Sequence, residues 1–276
     1  MFLTSEKYST DFAFLDSGTG GIPYLVKLKE MCPGAKCVYI GDTANFPYGE
    51  KSHDEIVKSL LKLVKKVREK CRPKIIVLAC NTMSVNGLDE VRAANPDIKF
   101  VGTVPAIKLA ATVSKKRRIG LLATNSTIKN PYNQELKNAF AFDCELISRG
   151  DPDLISFVEH KYFSVTPEET KTAIKPAVDY FREKDCDVII LGCTHFLNIA
   201  DEIQEVAGSD IKVVDSRDGV VNHAIDVAGM KDFCSSKTNQ CVEKDRLYVT
   251  GFSDKDDENE YNIITSRYGM EFCGKL

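Results

Sequence analysis

The chain has 276 residues, 43% hydrophobic and 28% charged, so it can fold around one large core or two smaller ones. Lys and Arg number 37 against 40 Asp and Glu, and the net charge of −3 argues against a nucleic acid partner. The apolar runs are far shorter than the roughly 20 residues of a membrane-spanning helix, and the N-terminus lacks a signal-peptide core, which predicts a soluble cytoplasmic protein without membrane contact.

Short apolar runs rich in β-forming residues recur along the chain, with longer helical stretches between them. In chain order they are 12–15, 37–41, 74–79, 99–102, 118–123, 144–147, 187–191, 211–214 and 246–249. Several are apolar nearly throughout, as strands covered on both faces should be. The alternation predicts an α/β fold with mainly parallel sheets flanked by helices.

Two of the helices are indicated by the residues at their N-termini. Ser52 and Glu55 form a capping-box pair ahead of an apolar stripe, whose opposite face carries Lys and Arg. Thr166, Pro167 and Glu169 give the same signal for a second helix, with proline at the first helical position. We therefore expect helices to begin at these two places.

Small polar residues directly follow several of the predicted strands. Ligands of parallel sheets bind beyond the carboxyl ends of the strands, so chemistry is expected at these positions. They are 16–21, 42–49, 80–82, 124–127 and 193–195. The first is a Gly-rich turn that matches no phosphate-binding signature. Asp16 within it is equally consistent with a helix cap and with a group that orients a substrate ammonium.

Two of these segments resemble each other, because 75–82 and 188–195 each have a cysteine directly after a buried strand. The repetition predicts a pseudo-symmetric molecule of two lobes. The other eight of the ten cysteines are expected to be core or surface thiols, and all ten to stay reduced, since no C-x-x-C pair occurs. The four histidines show no metal-ligand spacing, so no metal site is expected.

Cys80 and Cys193 differ from ordinary core cysteines in their context. Hydroxyl or amide side chains follow each one where a helix should begin, and a helix N-terminus lowers the pKa of a thiol from about 8.5. His195 lies two positions after Cys193 and could tune that thiol, although a lone histidine is usually structural. Glu159, at the end of an apolar patch, is as consistent with a helix surface as with a site.

Two thiols that faced one ligand from opposite sides could invert a stereocentre. One would take a proton from carbon while the other returned a proton to the far face, without a cofactor. Amides and hydroxyls of the polar loops would stabilise the charge that develops on the substrate carboxylate. The two thiols must start in opposite protonation states, which predicts a bell-shaped dependence of rate on pH.

Several motifs follow one another along most of the chain. They are 14–21 (FLDSGTGG), 39–43 (YIGDT), 46–51 (FPYGEK), 79–82 (ACNT), 104–108 (VPAIK), 123–127 (ATNST), 158–159 (VE) and 192–195 (GCTH). Together, and in this order, they resemble the glutamate racemases of the cofactor-independent aspartate/glutamate racemase superfamily.

The resemblance implies two α/β lobes with the active site in the cleft between them. Residues 105–215 would form the second lobe, and residues 1–104 with 216–276 the first. The implied activity is cofactor-independent interconversion of L- and D-glutamate, which supplies D-glutamate for peptidoglycan and cell-wall synthesis. The resemblance also implies a homodimer.

Site residues follow from the same resemblance. Cys80 would deprotonate the D-isomer and Cys193 the L-isomer, and Asp16 and His195, with Glu159, would assist the thiols. The residues implied to contact the substrate are Asp16, Ser17, Tyr48, Gly49, Asn81, Thr82, Thr124, Thr194 and His195.

Other functions stay open at this point. The same two-thiol site could racemise aspartate or another amino acid, since the residues alone do not fix the length of the substrate. A thiol redox or sensor protein also uses paired reactive cysteines, but Cys80 and Cys193 would then approach within disulfide distance and leave no room for a substrate. A binding protein that had lost turnover would have lost one thiol, and both are present.

Overall fold

The computed structural model describes residues 9–235 and 243–276. The strands are β1 Thr10–Asp16, β2 Cys37–Gly41, β3 Pro73–Leu78, β4 Lys99–Gly102, β5 Arg118–Ala123, β6 Glu145–Gly150, β7 Val188–Leu191, β8 Lys212–Val214, β9 Arg246–Val249 and β10 Glu271–Lys275. The helices are α1 Ile22–Met31, α2 His53–Cys71, α3 Asn81–Ala94, α4 Ile107–Val113, α5 Asn125–Lys129, α6 Tyr132–Phe140, α7 Pro152–His160, α8 Pro167–Glu183, α9 Ala200–Ala207, α10 Arg217–Ala228, α11 Lys231–Ser235 and α12 Lys255–Arg267.

The strands form two parallel sheets, as the sequence predicts. The first lobe is built on a six-stranded sheet of order β10-β9-β2-β1-β3-β4, and the second lobe on a four-stranded sheet of order β6-β5-β7-β8. Every strand pair within them is parallel. One continuous apolar core, which includes Phe14, Val77, Leu122 and Leu191, runs through both lobes.

The two lobes repeat one topology. The order β2-β1-β3-β4 in the first sheet corresponds to β6-β5-β7-β8 in the second, so β3 and β7 occupy equivalent places. Cys80 follows β3 and Cys193 follows β7, each within two residues of the end of its strand. The pseudo-symmetry predicted from the two cysteine segments is therefore confirmed, and it brings the two thiols to corresponding sheet edges.

Both helices predicted from their N-termini are confirmed. α2 begins after Ser52, whose hydroxyl accepts the Glu55 N–H while the Glu55 carboxylate accepts the Ser52 N–H. Thr166 and Glu169 form the same reciprocal pair at the start of α8. Each pair satisfies two backbone donors that a helix leaves unbonded at its start.

All nine predicted strands are present, with ends shifted by at most three residues. A tenth strand, β10, is not predicted by the sequence pattern; it lies at the sheet edge, and its residues Glu271–Lys275 are exposed or only partly buried. Phe272 and Cys273 are its only hydrophobic residues, so it lacks the apolar run that marks the others. The acidic run 254–260 provides the N-cap residue and the first turns of α12, where its residues are exposed or partly buried.

None of the helices in the described residues is long and apolar enough to cross a bilayer.

One cysteine pair departs from the expectation that all thiols stay reduced. Cys32, directly after α1, is disulfide-bonded to Cys234 in α11, 202 residues away in sequence. α1 packs against α10, which leads into α11, and this long-range packing brings the two residues together. No local spacing could have predicted it.

We expect chemical reduction to destabilise the fold, because the disulfide closes a long loop of the unfolded chain. The free energy of unfolding should fall by about 2–4 kcal/mol when dithiothreitol is present, as measured by urea denaturation. A Cys32→Ser variant should show the same lower stability without reductant and no further response to it. An unchanged midpoint for the reduced wild-type protein would contradict this.

Candidate active site

A cavity of about 370 Å³ lies between the two lobes, at the carboxyl ends of the strands. This volume is within the range of small-molecule sites. Its lining residues are Ser17, Phe46, Pro47, Tyr48, Gly49, Glu50, Cys80, Asn81, Thr82, Thr124, Asn125, Pro152, Asp153, Ile155, Ser156, His160, Cys193, Thr194 and His195. The cleft between the lobes is thus where the sequence-based prediction expected it.

Both predicted thiols line this one cavity from opposite lobes. Cys80 is the N-cap residue of α3 and is 5% exposed, whereas Cys193 precedes a 3₁₀ turn and is 4% exposed. Neither is disulfide-bonded. The expected helix after Cys193 is therefore a 3₁₀ turn, Thr194–Ile199, followed by α9.

Cys193 is the first member of a buried chain of polar groups. Its sulfur lies 3.5 Å from Nδ1 of His195, and Nε2 of His195 lies 2.8 Å from Oε2 of Glu159. Glu159 also accepts hydrogen bonds from the backbone N–H and the hydroxyl of Thr19, across the cleft. The carboxylate thus fixes the ring of His195 and directs its other nitrogen to the thiol.

The charges of His195 and Glu159 stabilise each other. Burial alone would lower the pKa of His195, but hydrogen bonds and negative charge from Cys193 and Glu159 hold that pKa well above its ordinary value. Burial raises the pKa of Glu159, yet His195 and Thr19 outweigh it and lower the pKa overall. The structure therefore favours an imidazolium at His195, between the carboxylate of Glu159 and the sulfur of Cys193.

Gly18 and Gly20 allow the loop after β1 to lie close to Glu159 and His195. A Cβ at Gly18 would lie 2.5 Å from Oε1 of Glu159, and a Cβ at Gly20 would lie 2.7 Å from Nδ1 of His195. Any side chain at either position would displace the carboxylate or the imidazole. The Gly-rich turn is thus explained by close packing against the second lobe.

Asp16 lies at the end of β1 and is fully buried. Its Oδ1 accepts the Ser17 N–H at 2.6 Å and the Ser17 hydroxyl at 3.3 Å. Its Oδ2 accepts the Gly21 N–H at 2.5 Å and the Thr194 hydroxyl at 3.1 Å. Asp16 is not among the residues that line the cavity, so the structure places it behind the wall rather than in it.

The surroundings of Cys80 contradict the expectation that a helix N-terminus lowers the pKa of this thiol. Burial and the nearby charge of Asp16 raise its pKa well above the ordinary value, and the Met83 N–H offsets only part of this. Burial likewise raises the pKa of Asp16, which the charge of His195 and the Ser17 N–H only partly offset. These surroundings therefore favour the protonated thiol at Cys80.

Most of the predicted substrate contacts line the cavity. These are Ser17, Tyr48, Gly49, Asn81, Thr82, Thr124, Thr194 and His195. Oδ1 of Asn81 is buried and has no hydrogen-bond partner within the described part of the chain, as expected of an acceptor reserved for a ligand. Across the cleft, the hydroxyls of Thr82 and Thr124 lie 3.0 Å apart, so the lobes meet at paired hydroxyls.

Several lining residues are not predicted as site residues from the sequence, among them Asp153, Ser156 and His160 of α7. α7 reads as an ordinary amphipathic helix, and only the long-range packing of the lobes turns one of its faces to the cavity. Phe46 is a second omission. Its ring lies 5.9 Å from that of His160 and 5.6 Å from that of His195, so it contacts the second lobe from the first.

Comparison with known proteins gives a consistent result. The family model for Asp/Glu/hydantoin racemases matches residues 23–224. The glutamate racemase of Treponema pallidum is 35% identical over 99% of both chains, and that of Shewanella oneidensis is 39% identical over 73% of this chain and 72% of its own.

Solved structures agree. Escherichia coli glutamate racemase, in complex with L-glutamate and the activator UDP-MurNAc-Ala, superposes with a TM-score of 0.83 at 28% identity, covering 97% of this chain and 98% of that one. A glutamate racemase of Bacillus anthracis has the same fold, with a TM-score of 0.81 over 97% of both chains. On the family match, the extent of these similarities and the shared fold, the chain belongs to the Asp/Glu/hydantoin racemase family.

Proposed function

We propose that this protein is a glutamate racemase, which interconverts L- and D-glutamate by proton transfer through two cysteines. The observation that carries the proposal is that Cys80 and Cys193, from equivalent strands of two lobes, line one cavity as unbridged thiols. Two bases on opposite sides of one ligand are what inversion at a carbon requires.

In the direction from D-glutamate, Cys80 acts as the base. Its thiolate takes the proton from Cα, the Cα–H bond breaks, and the electron pair delocalises into the α-carboxylate. Cys193 then delivers its own proton to the opposite face of Cα, which gives L-glutamate. The two sulfurs have exchanged protonation states, and the reverse reaction starts from that state. Each direction therefore needs one thiol ionised and the other protonated.

The groups behind each sulfur suit these roles. The imidazole of His195, held by Glu159, hydrogen-bonds Cys193 and stabilises its thiolate. Asp16 and the Ser17 hydroxyl, 3.9 Å from Cys80, stand on the other side and can take up and return the proton of that thiol. Hydroxyls and amides around the cavity would stabilise the charge that develops on the carboxylate.

Glutamate, rather than aspartate, is favoured by the relatives. The proteins of Treponema pallidum and Shewanella oneidensis that match this chain are both glutamate racemases. The similar Escherichia coli enzyme was crystallised with L-glutamate. The alternative of a redox pair is disfavoured, because the two thiols are not bridged and both line a cavity of about 370 Å³.

Incubation of the pure protein with L-glutamate in heavy water tests the proposal. We expect the optical rotation to decay to zero while Cα acquires deuterium, without added pyridoxal phosphate. The same incubation with L-aspartate is the matched control for substrate length, and we expect it to be turned over far more slowly. Inert glutamate would reject the proposal, and faster turnover of aspartate would reassign the substrate.

The proposal also covers the biological role, the location and the oligomeric state of the enzyme. A supply of D-glutamate for peptidoglycan, a cytoplasmic location and a homodimer stay predictions. So does the division of the chain into lobes at 104/105 and 215/216. Sedimentation of the purified protein would test the dimer.

A further inference from the structure

Tyr39 lies outside the cavity, yet it contacts the group behind Cys80. It is fully buried in the middle of β2, and its Cα pairs with that of Phe14 in the neighbouring strand β1. Its hydroxyl lies 3.0 Å from Oδ2 of Asp16 and 3.1 Å from the carbonyl oxygen of Gly18, and it accepts the Gly21 N–H at 2.9 Å. A phenol proton between these two acceptors favours the carboxylate, since a charged acceptor forms the stronger bond.

From Asp16 a chain of contacts leads to the reacting sulfur. Oδ2 of Asp16 accepts Tyr39, while Oδ1 accepts the hydroxyl of Ser17 at 3.3 Å. Oγ of Ser17 in turn lies 3.9 Å from Sγ of Cys80. Because both oxygens belong to one planar group, a donor that fixes Oδ2 also fixes the direction of Oδ1. The orientation of the Ser17 hydroxyl towards Cys80 therefore depends on what holds the far oxygen.

The two other donors to Oδ2 of Asp16 lie closer to the substrate cavity or to Asp16 itself than Tyr39 does in the fold. The Gly21 N–H belongs to the same loop as Asp16, and Thr194 lies in the second lobe and lines the cavity. The charges of His195 and Glu159, in the second lobe, also act on the carboxylate of Asp16. Tyr39 alone among the side-chain donors to Oδ2 in the described chain comes from an interior strand of the first sheet and does not line the cavity.

We propose, on the basis of the racemase function above, that Tyr39 is a positioning residue for the Cys80 half of the reaction. It holds Asp16 so that Ser17 can pass the proton of the Cys80 thiol to and from the carboxylate. The Tyr39 hydroxyl bonds Asp16, Gly18 and Gly21, and no hydrogen bond from it to Cys193, His195 or Glu159 is present among the described residues. The charge of Glu159 is felt at Tyr39, but the hydrogen bonds lead to Cys80, so we expect the effect of Tyr39 to fall mainly on that proton transfer.

A Tyr39→Phe variant tests this, since it keeps the ring and removes only the hydroxyl. We expect kcat/KM to fall by about 10- to 100-fold, the effect of losing a hydrogen bond to a buried charge. The fall must be equal in both directions, because two enantiomers are equally stable and their equilibrium constant is fixed at one. Rates alone therefore cannot locate the affected step.

Primary deuterium isotope effects show which of the two proton transfers is slowed in Tyr39→Phe. With D-glutamate deuterated at Cα, Cys80 breaks the C–D bond, so a slower Cys80 step should raise the isotope effect on kcat/KM above the wild-type value. With L-glutamate deuterated at Cα, Cys193 breaks that bond while the Cys80 step limits the rate, so the isotope effect should fall. A loss of correctly folded protein would shift neither value.

Tyr24→Phe is the matched control. Tyr24 is an equally buried tyrosine of the first lobe, and its hydroxyl lies 2.7 Å from that of Ser216 instead of near the thiols. We expect its isotope effects to equal those of the wild-type protein. A Ser17→Ala variant interrupts the contact chain, so adding Tyr39→Phe to it should produce little further shift.

The outcomes are distinct. Opposite shifts of the two isotope effects in Tyr39→Phe, absent in Tyr24→Phe, support the inference. Wild-type isotope effects in Tyr39→Phe, or the same shift in both directions, overturn it while the racemase function stands. Full additivity with Ser17→Ala overturns the route through Asp16. A wild-type protein inert towards both enantiomers overturns the proposed function, and this inference with it.

Discussion

Replacement of either cavity thiol by serine is expected to abolish racemisation. Cys80→Ser and Cys193→Ser should each lower kcat by about 10⁴-fold or more, because a serine hydroxyl is far too weak an acid to be ionised near neutral pH. Both residues are buried and serine is nearly isosteric, so the fold should be retained. Polarimetry with each enantiomer, together with circular dichroism for the fold, measures both expectations.

The remaining thiol of each variant should retain half of the chemistry. Cys80→Ser keeps Cys193, so slow exchange of the Cα proton of L-glutamate into heavy water should persist without formation of the D-isomer. Cys193→Ser should show the same residual exchange with D-glutamate alone. Exchange of the opposite enantiomer in either variant would reverse the assignment of the two cysteines to the two faces of the substrate.

Two other buried cysteines provide matched controls. Cys71 ends α2 in the first lobe and Cys186 precedes β7 in the second, and both are unbridged and away from the cavity. We expect Cys71→Ser and Cys186→Ser to racemise glutamate at near wild-type rates. Near wild-type rates in Cys80→Ser or Cys193→Ser would instead end the two-cysteine mechanism.

The parts of this molecule that could be predicted are those encoded by short stretches of sequence. Buried parallel strands are continuous apolar runs, and capping boxes are three residues apart, so both are readable locally. The two cysteine segments were found because each thiol directly follows such a run. The position of the cleft then follows from a general property of parallel sheets.

The parts that could not be predicted depend on contacts between distant residues. The Cys32–Cys234 disulfide and the lining role of His160 arise from packing that joins separate parts of the chain. The raised pKa of the Cys80 thiol has the same origin, because burial and Asp16 outweigh the local effect of the helix N-terminus. Tyr39 carries no sequence signal for its contact with Asp16, since any buried strand tolerates a tyrosine.

Loss of the carboxylate at position 159 is expected to have the second largest effect. Glu159→Gln removes the negative charge beside His195, so the effect of burial should lower the pKa of the imidazole. The neutral form of the ring is then favoured. A neutral ring stabilises a Cys193 thiolate less well, and we expect kcat to fall by about 10²- to 10³-fold, a typical contribution of an acid–base assistant. Measurement of kcat against pH should show activity lost first on the alkaline side.

The Glu159→Gln variant should also change how the free energy of unfolding depends on pH. The pKa of Glu159 is lowered by folding, so its contribution is present above the unfolded value of 4.5 and is lost as pH falls through the folded pKa. The pKa of His195 is raised by folding, so its contribution is complete below 6.5 and is lost as pH rises through the folded pKa. The stabilisation by the pair is therefore fullest between pH 4.5 and 6.5.

In that window Glu159→Gln should be less stable than the wild-type protein by about 3 kcal/mol, the usual cost of breaking a buried ion pair. The difference should narrow in more acidic solution, where the wild-type carboxyl is itself neutral and resembles the amide. Urea denaturation at several pH values measures it. Glu202→Gln, whose carboxylate accepts the Tyr162 hydroxyl at 3.0 Å elsewhere in the second lobe, is the control. A Glu159→Gln protein with wild-type stability at pH 5.5 and wild-type kcat would mean that something other than this carboxylate holds His195 against Cys193.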